Sequence, residues 1–231
     1  MSGAIGNGSP IHGRWILFTV ILGSSLAFLD FTIVNVALPF IQEDFDTTGS
    51  GVQWVVQAYA LLLASLILVG GSLGDRLGRR RMYLVGVLLF TVASILAGVA
   101  SNLETLIAAR ALQGVGGALL IPGSLAIISA PWSDDDRGRA IGTWAGFTSI
   151  TMAIGPPLGG YLVEQWSWRA AFLLNVPIAV VVIAAGVAYL PETRDTGATG
   201  PLDWPGAALV TLSLAGAVYG FTRAAEHGWT D

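Results

Sequence analysis

The sequence predicts an all-α polytopic membrane protein, and three observations predict it. Hydrophobic residues fill 54% of the 231 positions and charged residues only 11%, with a mean hydropathy of +0.70, outside the range of ordinary soluble domains. Uncharged runs of about 20 residues recur along the chain, and a helix rising about 1.5 Å per residue needs that length to cross a hydrocarbon core of about 30 Å. The ten-residue alternation that builds a membrane β-barrel is missing.

Charges, prolines and glycines divide the chain into seven spans. The first, Trp15–Pro39, follows a short tail (residues 1–14) that ends in Arg14. Next come Gln53–Gly71, then Met82–Ala100 behind a triple arginine, then Leu106–Ser129. The fifth, Ala140–Val163, begins after Arg139, and the sixth, Ala170–Leu190, after Arg169. A short segment, residues 191–203, leads to the seventh, Trp204–Thr222, and residues 223–231 form a closing tail. Every basic residue is arginine, and outside the spans eight (Arg14, Arg76, Arg79, Arg80, Arg81, Arg137, Arg139, Arg194) fall on one side against Arg169 and Arg223 on the other. The positive-inside rule makes the first side cytoplasmic, so the N-terminus and the 191–203 loop are expected inside and the last tail outside. The first apolar run has full length and lacks a small-residue cleavage motif, which argues against a cleavable signal peptide. The expected location is a cell membrane, plasma or inner.

Shifting the sequence by 89 residues lays Gly71, Leu73, Asp75, Arg80 and Tyr83 over Gly160, Leu162, Glu164, Arg169 and Phe172. The two segments follow spans two and five on opposite faces. That is the pattern of an inverted three-plus-three repeat, so residues 15–190 are expected to form one six-helix bundle of two three-helix units.

Composition also removes whole classes of function. With no cysteine, disulfides and thiolate metal sites are excluded, and the two histidines, His12 and His227, lie in terminal segments. No nucleophile–base pair, metal cluster or phosphate loop is visible, so no enzyme, metal, cofactor or nucleic-acid partner is expected. The net charge of −4 carries little meaning in such a chain.

Asp30 and Arg110 are the only formal charges deep inside the spans. At mid-helix each costs roughly 2.5–3.5 kcal/mol on insertion scales, so each must pair, meet water or titrate. Counted from Pro39 and Thr105, Asp30 lies about 14 Å and Arg110 about 8 Å below the outer surface, a difference an arginine side chain can span. The two are expected to meet in a shared hydrated cavity. A neighbouring cation and a low dielectric pull a carboxyl in opposite senses, which suits a group that changes its proton occupancy with access.

Four motifs surround this pair. Gly71-Ser-Leu-Gly-Asp75-Arg76-Leu-Gly78-Arg79-Arg80-Arg81 reads as a tight inner loop, with glycine free to take positive φ at the bends. Anchoring to headgroups explains its arginines but not Asp75 or the spacing. Leu29-Asp30-Phe31-Thr32-Ile33-Val34-Asn35-Val36-Ala37-Leu38-Pro39 closes the first span and lets Asp30 and Asn35 share one broad side; a structural hydrogen bond is the plainer use of Asp30. The fourth span carries Leu106-Ile-Ala-Ala-Arg110-Ala-Leu-Gln113-Gly114-Val-Gly116-Gly117, whose glycines suit close helix contact rather than a dinucleotide loop. The fifth carries Thr151-Met-Ala-Ile-Gly155-Pro156-Pro157-Leu-Gly159-Gly160, a small-residue surface bent by proline. Trp166 and Trp168 fit an interfacial aromatic belt, and acids at Asp134, Asp135 and Asp136 suit the start of helix five.

In this order the motifs resemble those of the major facilitator superfamily, and within it the fourteen-span drug:proton antiporters. Trp166-Ser-Trp168-Arg169-Ala-Ala-Phe172-Leu-Leu-Asn175-Val-Pro177 and Pro191-Glu192-Thr193 are similar to segments of the same family. The short approach Leu202-Asp203-Trp204-Pro205-Gly206 to span seven also fits the fourteen-span branch. Thr151, where the family pattern usually has glycine, and the second proline depart from it. The resemblance implies that Asp30 and Arg110 couple transport to protons, and that Asn35, Thr32 and Gln113 line the substrate cavity. It also implies a cytoplasmic gate of Gly71, Asp75, Arg76, Gly78 and Arg79, and an antiporter surface of Gly155, Pro156, Gly159 and Gly160. The partners it implies are membrane lipid, protons and a small organic substrate.

The match covers only the first half of such a transporter, so the chain reads as truncated, as a half that assembles with a second chain, or as an inactive remnant. Expected functions are proton-driven efflux of amphipathic organic compounds, or export of a metabolite or siderophore on the same scaffold. A non-transporting scaffold is the reading from another class, with Gly216-Ala-Val-Tyr-Gly220 as its small-residue contact face.

Overall fold

The computed structural model describes residues 10–129, 132, 134–195 and 203–227. Their regular structure is helical throughout, with no strand among the described residues: α1 (Pro10–Asp44), α2 (Gly49–Leu77), α3 (Arg79–Gly98), α4 (Leu103–Ser129), α5 (Asp134–Gln165), α6 (Trp168–Leu173), α7 (Asn175–Tyr189) and α8 (Trp204–His227). α6 and α7 meet at Leu174 and together make the sixth rod. Residues 1–9, 196–202 and 228–231, which hold parts of both expected tails and of the 191–203 loop, lie outside the described residues.

Among the described residues, five stretches are long and apolar enough to cross a membrane: Gly13–Asp44, Gly49–Leu77, Arg79–Gly98, Leu103–Ser129 and Trp168–Tyr189. The chain is thus a multi-pass membrane protein. α5 and α8 fall outside that set; Gly155, Pro156, Pro157, Gly159 and Gly160 dilute the first, and the apolar part of the second runs only from Trp204 to Gly220. α5 nevertheless lies in the bundle, packed along α1.

Two central helices organise the bundle. α4 runs between α2 and α3, while α1 runs between α5 and the α6–α7 rod. The 89-residue shift lays α1, α2 and α3 over α4, α5 and the α6–α7 rod, so the first helix of each unit is flanked by the second and third helices of the other, and paired residues occupy matching places. Tyr83 and Phe172 are both fully buried. Arg80 donates through Nη2 to the Val187 carbonyl in the last turn of α7 (2.7 Å), and Arg169 donates through Nη2 to the Ala100 carbonyl just beyond α3 (3.1 Å). Each arginine starts the third helix of its own unit and closes the end of the third helix of the other, where unpaired carbonyls and the negative end of the helix dipole collect.

Glycine sets the spacing around α4. A methyl on Gly86 would stand 2.8 Å from the Gly116 carbonyl oxygen, and one on Gly116 would stand 2.7 Å from the Phe90 nitrogen. On the other flank, one on Gly114 would stand 2.5 Å from the Tyr59 carbonyl oxygen. Backbone lies against backbone there, so these glycines serve close packing, as the motif suggested.

Several boundaries differ from the sequence reading. α1 passes through Pro39 to Asp44, because Ile41 is buried and Asp44 is held from α6. Gly71 to Leu77 is not a loop but the last two turns of α2, and the reversal into α3 takes the single residue Gly78, at φ +117°. Trp168 does not sit in an interfacial belt. It is 3% exposed, packs edge-on against Phe45 and Phe172, and donates through Nε1 to Asp44 (3.0 Å), whereas Trp166 is exposed.

Candidate functional site

α1, α3, α4 and α7 each send a polar side chain into one point at the centre of the bundle. Asp30 comes from α1, Ser94 from α3, Arg110 and Gln113 from successive turns of α4, and Asn175 from the first residue of α7. All five are at most 1% exposed. Arg110 Nη1 donates to Asp30 Oδ2 and also to Gln113 Oε1 (2.8 Å). The other carboxylate oxygen, Asp30 Oδ1, accepts from Gln113 Nε2 (3.1 Å) and Asn175 Nδ2 (2.9 Å). Ser94 Oγ accepts from both amides, at 2.7 and 3.2 Å.

The guanidinium is held from the remaining sides by α2 and α6. Its Nε donates to the Val55 carbonyl (3.0 Å), and its carbon lies 4.4 Å from the centre of the Tyr59 ring and 5.8 Å from that of Phe172. Cation–π contact of this kind is worth more when desolvated. Arg110 Nη2 is buried and has no hydrogen-bond partner among the described residues. Both carboxylate oxygens therefore have donors, while the guanidinium keeps one nitrogen without a partner among the described residues.

Asp30 and Arg110 meet, as their depths allowed, and both are fully buried in this bundle. Tyr59, Phe172 and the helices that carry them close around the pair, and an ion pair removed from water depends on such added hydrogen bonds and contacts to offset its desolvation. Gln113 belongs to this enclosed network, whereas Thr32 and Asn35 stand outside it. Thr32 bonds the carbonyls of Phe28 (3.2 Å) and Leu29 (3.0 Å), and its side chain lies where a methyl on Gly155 would go. Asn35 is exposed and bonds the Phe31 carbonyl (2.6 Å). Five residues on a helix turn through about 140° relative to the start, which puts Asp30 inside and Asn35 on the outer face beside Phe31.

Asn175, Ser94 and Tyr59 are the members of the site that sequence reasoning missed. An amide in an otherwise apolar span was the available signal for Asn175; Ser94 and Tyr59 gave none. A second polar bridge crosses nearby, where Trp144 Nε1 donates to Ser24 Oγ (2.9 Å) and Ser24 in turn to Ser124 Oγ (2.9 Å), linking α5, α1 and α4.

At one end of the bundle Asp75 and Arg79 pair one turn apart across the Gly78 reversal, with Arg79 Nε donating to Asp75 Oδ1 (2.9 Å). The segment after α7 straps this turn: the Arg79 amide donates to the Thr193 carbonyl (2.9 Å), and the Asp195 amide to the Asp75 carbonyl (2.9 Å). Arg76 is half-buried on the same turn of α2. Gly71 faces Pro122 of α4. On α5, Gly155 and Gly159 pack on Thr32 and Ile33 of α1, while Pro156 is exposed and Gly160 meets nothing. No group of three potential ligands that could hold a metal ion occurs among the described residues.

Comparison with known proteins adds to this geometry. A family model described as Major Facilitator Superfamily matches residues 20–220. The chain is 41% identical over 211 residues to the multidrug resistance protein Stp of Mycobacterium tuberculosis, which covers 91% of this chain and 39% of that protein. It is 41% identical over 224 residues to the puromycin resistance protein of Streptomyces alboniger (96% and 44%) and 37% identical over 229 residues to the methylenomycin A resistance protein of Bacillus subtilis (99% and 49%). Among solved structures, a peptide transporter in complex with sulfate superposes with a TM-score of 0.71 at 16% identity, covering 100% of this chain and 49% of its own, a likeness of fold alone. The chain spans about half the length, or less, of the curated relatives it matches.

Proposed function

Since the chain belongs to the major facilitator superfamily, whose members are transporters rather than enzymes, we propose that it supplies the N-terminal half of a proton-coupled efflux protein for amphipathic organic compounds. The observation that carries this reading is the enclosed carboxylate. A bundle that needed Asp30 only for packing would be served as well by an apolar residue, because a buried ion pair rarely stabilises more than a well-packed hydrophobic replacement. A charge retained at such a place is a functional group by default. The relatives named for multidrug, puromycin and methylenomycin A resistance support an outward-carried, drug-like cargo.

In the proposed cycle Asp30 takes up and releases the transported proton. Arg110 neutralises the carboxylate, while Gln113 and Asn175 hold it in place. As each donor that leaves Asp30 lowers the cost of protonating it, a shift of α1 against α4 or α7 changes its occupancy. Asp75, Arg76 and Arg79 close the cytoplasmic end, strapped by residues 193–195, and Gly155 and Gly159 let α5 slide on α1. The cavity lies between this bundle and a second one, reached through the exposed face of Phe31 and Asn35, and that second bundle belongs to the same polypeptide or to a second chain. The N-terminus lies in the cytoplasm and the membrane is the cell membrane.

The test is transport by the protein expressed from its complete coding sequence and reconstituted in liposomes. An imposed proton gradient should drive uptake of a lipophilic cation such as ethidium in inverted vesicles. Asp30→Asn should abolish the dependence on the gradient while leaving ethidium binding measurable. Gradient-driven uptake unchanged by Asp30→Asn would overturn the assignment.

A further inference from the structure

A groove runs along α1, where α5 reaches α6 and parts from α7. The result is a cavity of about 510 Å³ floored by α1, with Ile21 and Leu29 beneath, Phe147 and Ile154 on the α5 wall and Ile178 on the α7 wall. It opens outward, since Phe18, Phe147 and Ile154 are 43%, 53% and 50% exposed.

Three properties define its occupant. The floor runs from Arg14 to Leu29, about 22 Å along the helix axis, close to one leaflet's hydrocarbon half-thickness of about 15 Å plus its headgroup layer. Every hydroxyl on the lining is already engaged: Ser25 and Thr151 bond each other (3.0 Å), Thr151 bonds the Phe147 carbonyl (2.9 Å) and Thr143 the Arg139 carbonyl (2.8 Å). The interior thus offers a ligand apolar surface and nothing else. At the mouth stands Arg14, exposed and in no ion pair with a described residue, beside Trp15 stacked on Tyr189 at 5.0 Å. Paired aromatic rings at that depth mark the headgroup level.

We propose that this groove is a binding site for an anionic phospholipid of the leaflet on the N-terminal side, with one acyl chain between α5 and α7 and the phosphate on Arg14. The site is separate from the Asp30 network and independent of the transport reading.

Native mass spectrometry of the full chain tests it, with phosphatidylglycerol, phosphatidylcholine and diacylglycerol compared at equal concentration. Wild type should retain phosphatidylglycerol best. Arg14→Gln should weaken that retention about fivefold, the effect of one basic residue near a lipid headgroup, and leave diacylglycerol unchanged. Ile21→Trp should reduce retention of all three. Should these variants fold poorly, wild type alone suffices: phosphatidylglycerol carrying a diazirine on its acyl chain should label residues 14–29 and 143–158 above the exposed Leu88–Val92 face of α3. Equal retention of the three lipids by wild type and Arg14→Gln, or labelling spread evenly over α1, α5 and α3, would overturn the proposal.

Discussion

Asp30 and Arg110 neutralise one another where neither has any exposure, so single substitutions there act through the partner left behind. Arg110→Ala strands a buried carboxylate and Asp30→Asn a buried guanidinium, and breaking one side of such a pair costs about 3–5 kcal/mol. The double substitution Asp30→Asn with Arg110→Gln leaves no charge, so its melting temperature in detergent should lie above that of Arg110→Ala. A double variant no more stable than Arg110→Ala would mean that the helices, not the charges, fix the site. These two residues were legible in the sequence because a charge in an apolar run is a loud signal. Their surroundings were quieter: Asn175 stood inside a quoted motif without a role, and nothing marks Ser94 among the other small residues of α3. The expectation of a common face for Asp30 and Asn35 erred because polarity says that a residue needs a partner without saying on which side the partner stands.

Between helices, the two arginine closures connect units that are far apart in sequence. Arg80 at the start of α3 closes α7, and Arg169 at the start of α6 closes the end of α3. A cation at a helix C-terminus contributes about 0.3–1 kcal/mol, more when partly buried. Arg80→Gln should therefore raise amide hydrogen exchange in the last turn of α7 and leave α3 unchanged, and Arg169→Gln should do the reverse at the end of α3. Exchange that rises evenly along both helices would point to general loosening instead. The repeat that pairs these arginines was visible at five positions of sequence, whereas the end of α2 was not. Gly70, Gly71, Gly74 and Gly78 look alike as letters, yet Gly70 and Gly71 face α4 and only Gly78 takes the positive φ that a turn requires. Spacing alone does not separate a glycine that admits a neighbouring backbone from one that reverses the chain.

At the scale of the whole bundle, membrane insertion follows from hydropathy, because the bilayer fixes the length of an apolar run, although the glycine- and proline-rich α5 falls short by that measure. Which helices touch does not follow, since lipid tails are as apolar as leucine and give helices no hydrophobic reason to choose each other. The choice is made by small residues, and they are distributed unevenly. The flank of α4 is closed backbone to backbone at Gly86, Gly114 and Gly116, while α5 carries Gly142, Gly146 and Gly160 with open space beside them. That difference governs how freely the gene can drift. In a saturation library of the complete coding sequence selected for the proposed efflux, alanine and serine should vanish at Gly86, Gly114 and Gly116 but persist at Gly142, Gly146 and Gly160. One side of the molecule would then serve as a fixed frame through evolutionary time, and adaptation to new compounds would accumulate on the other.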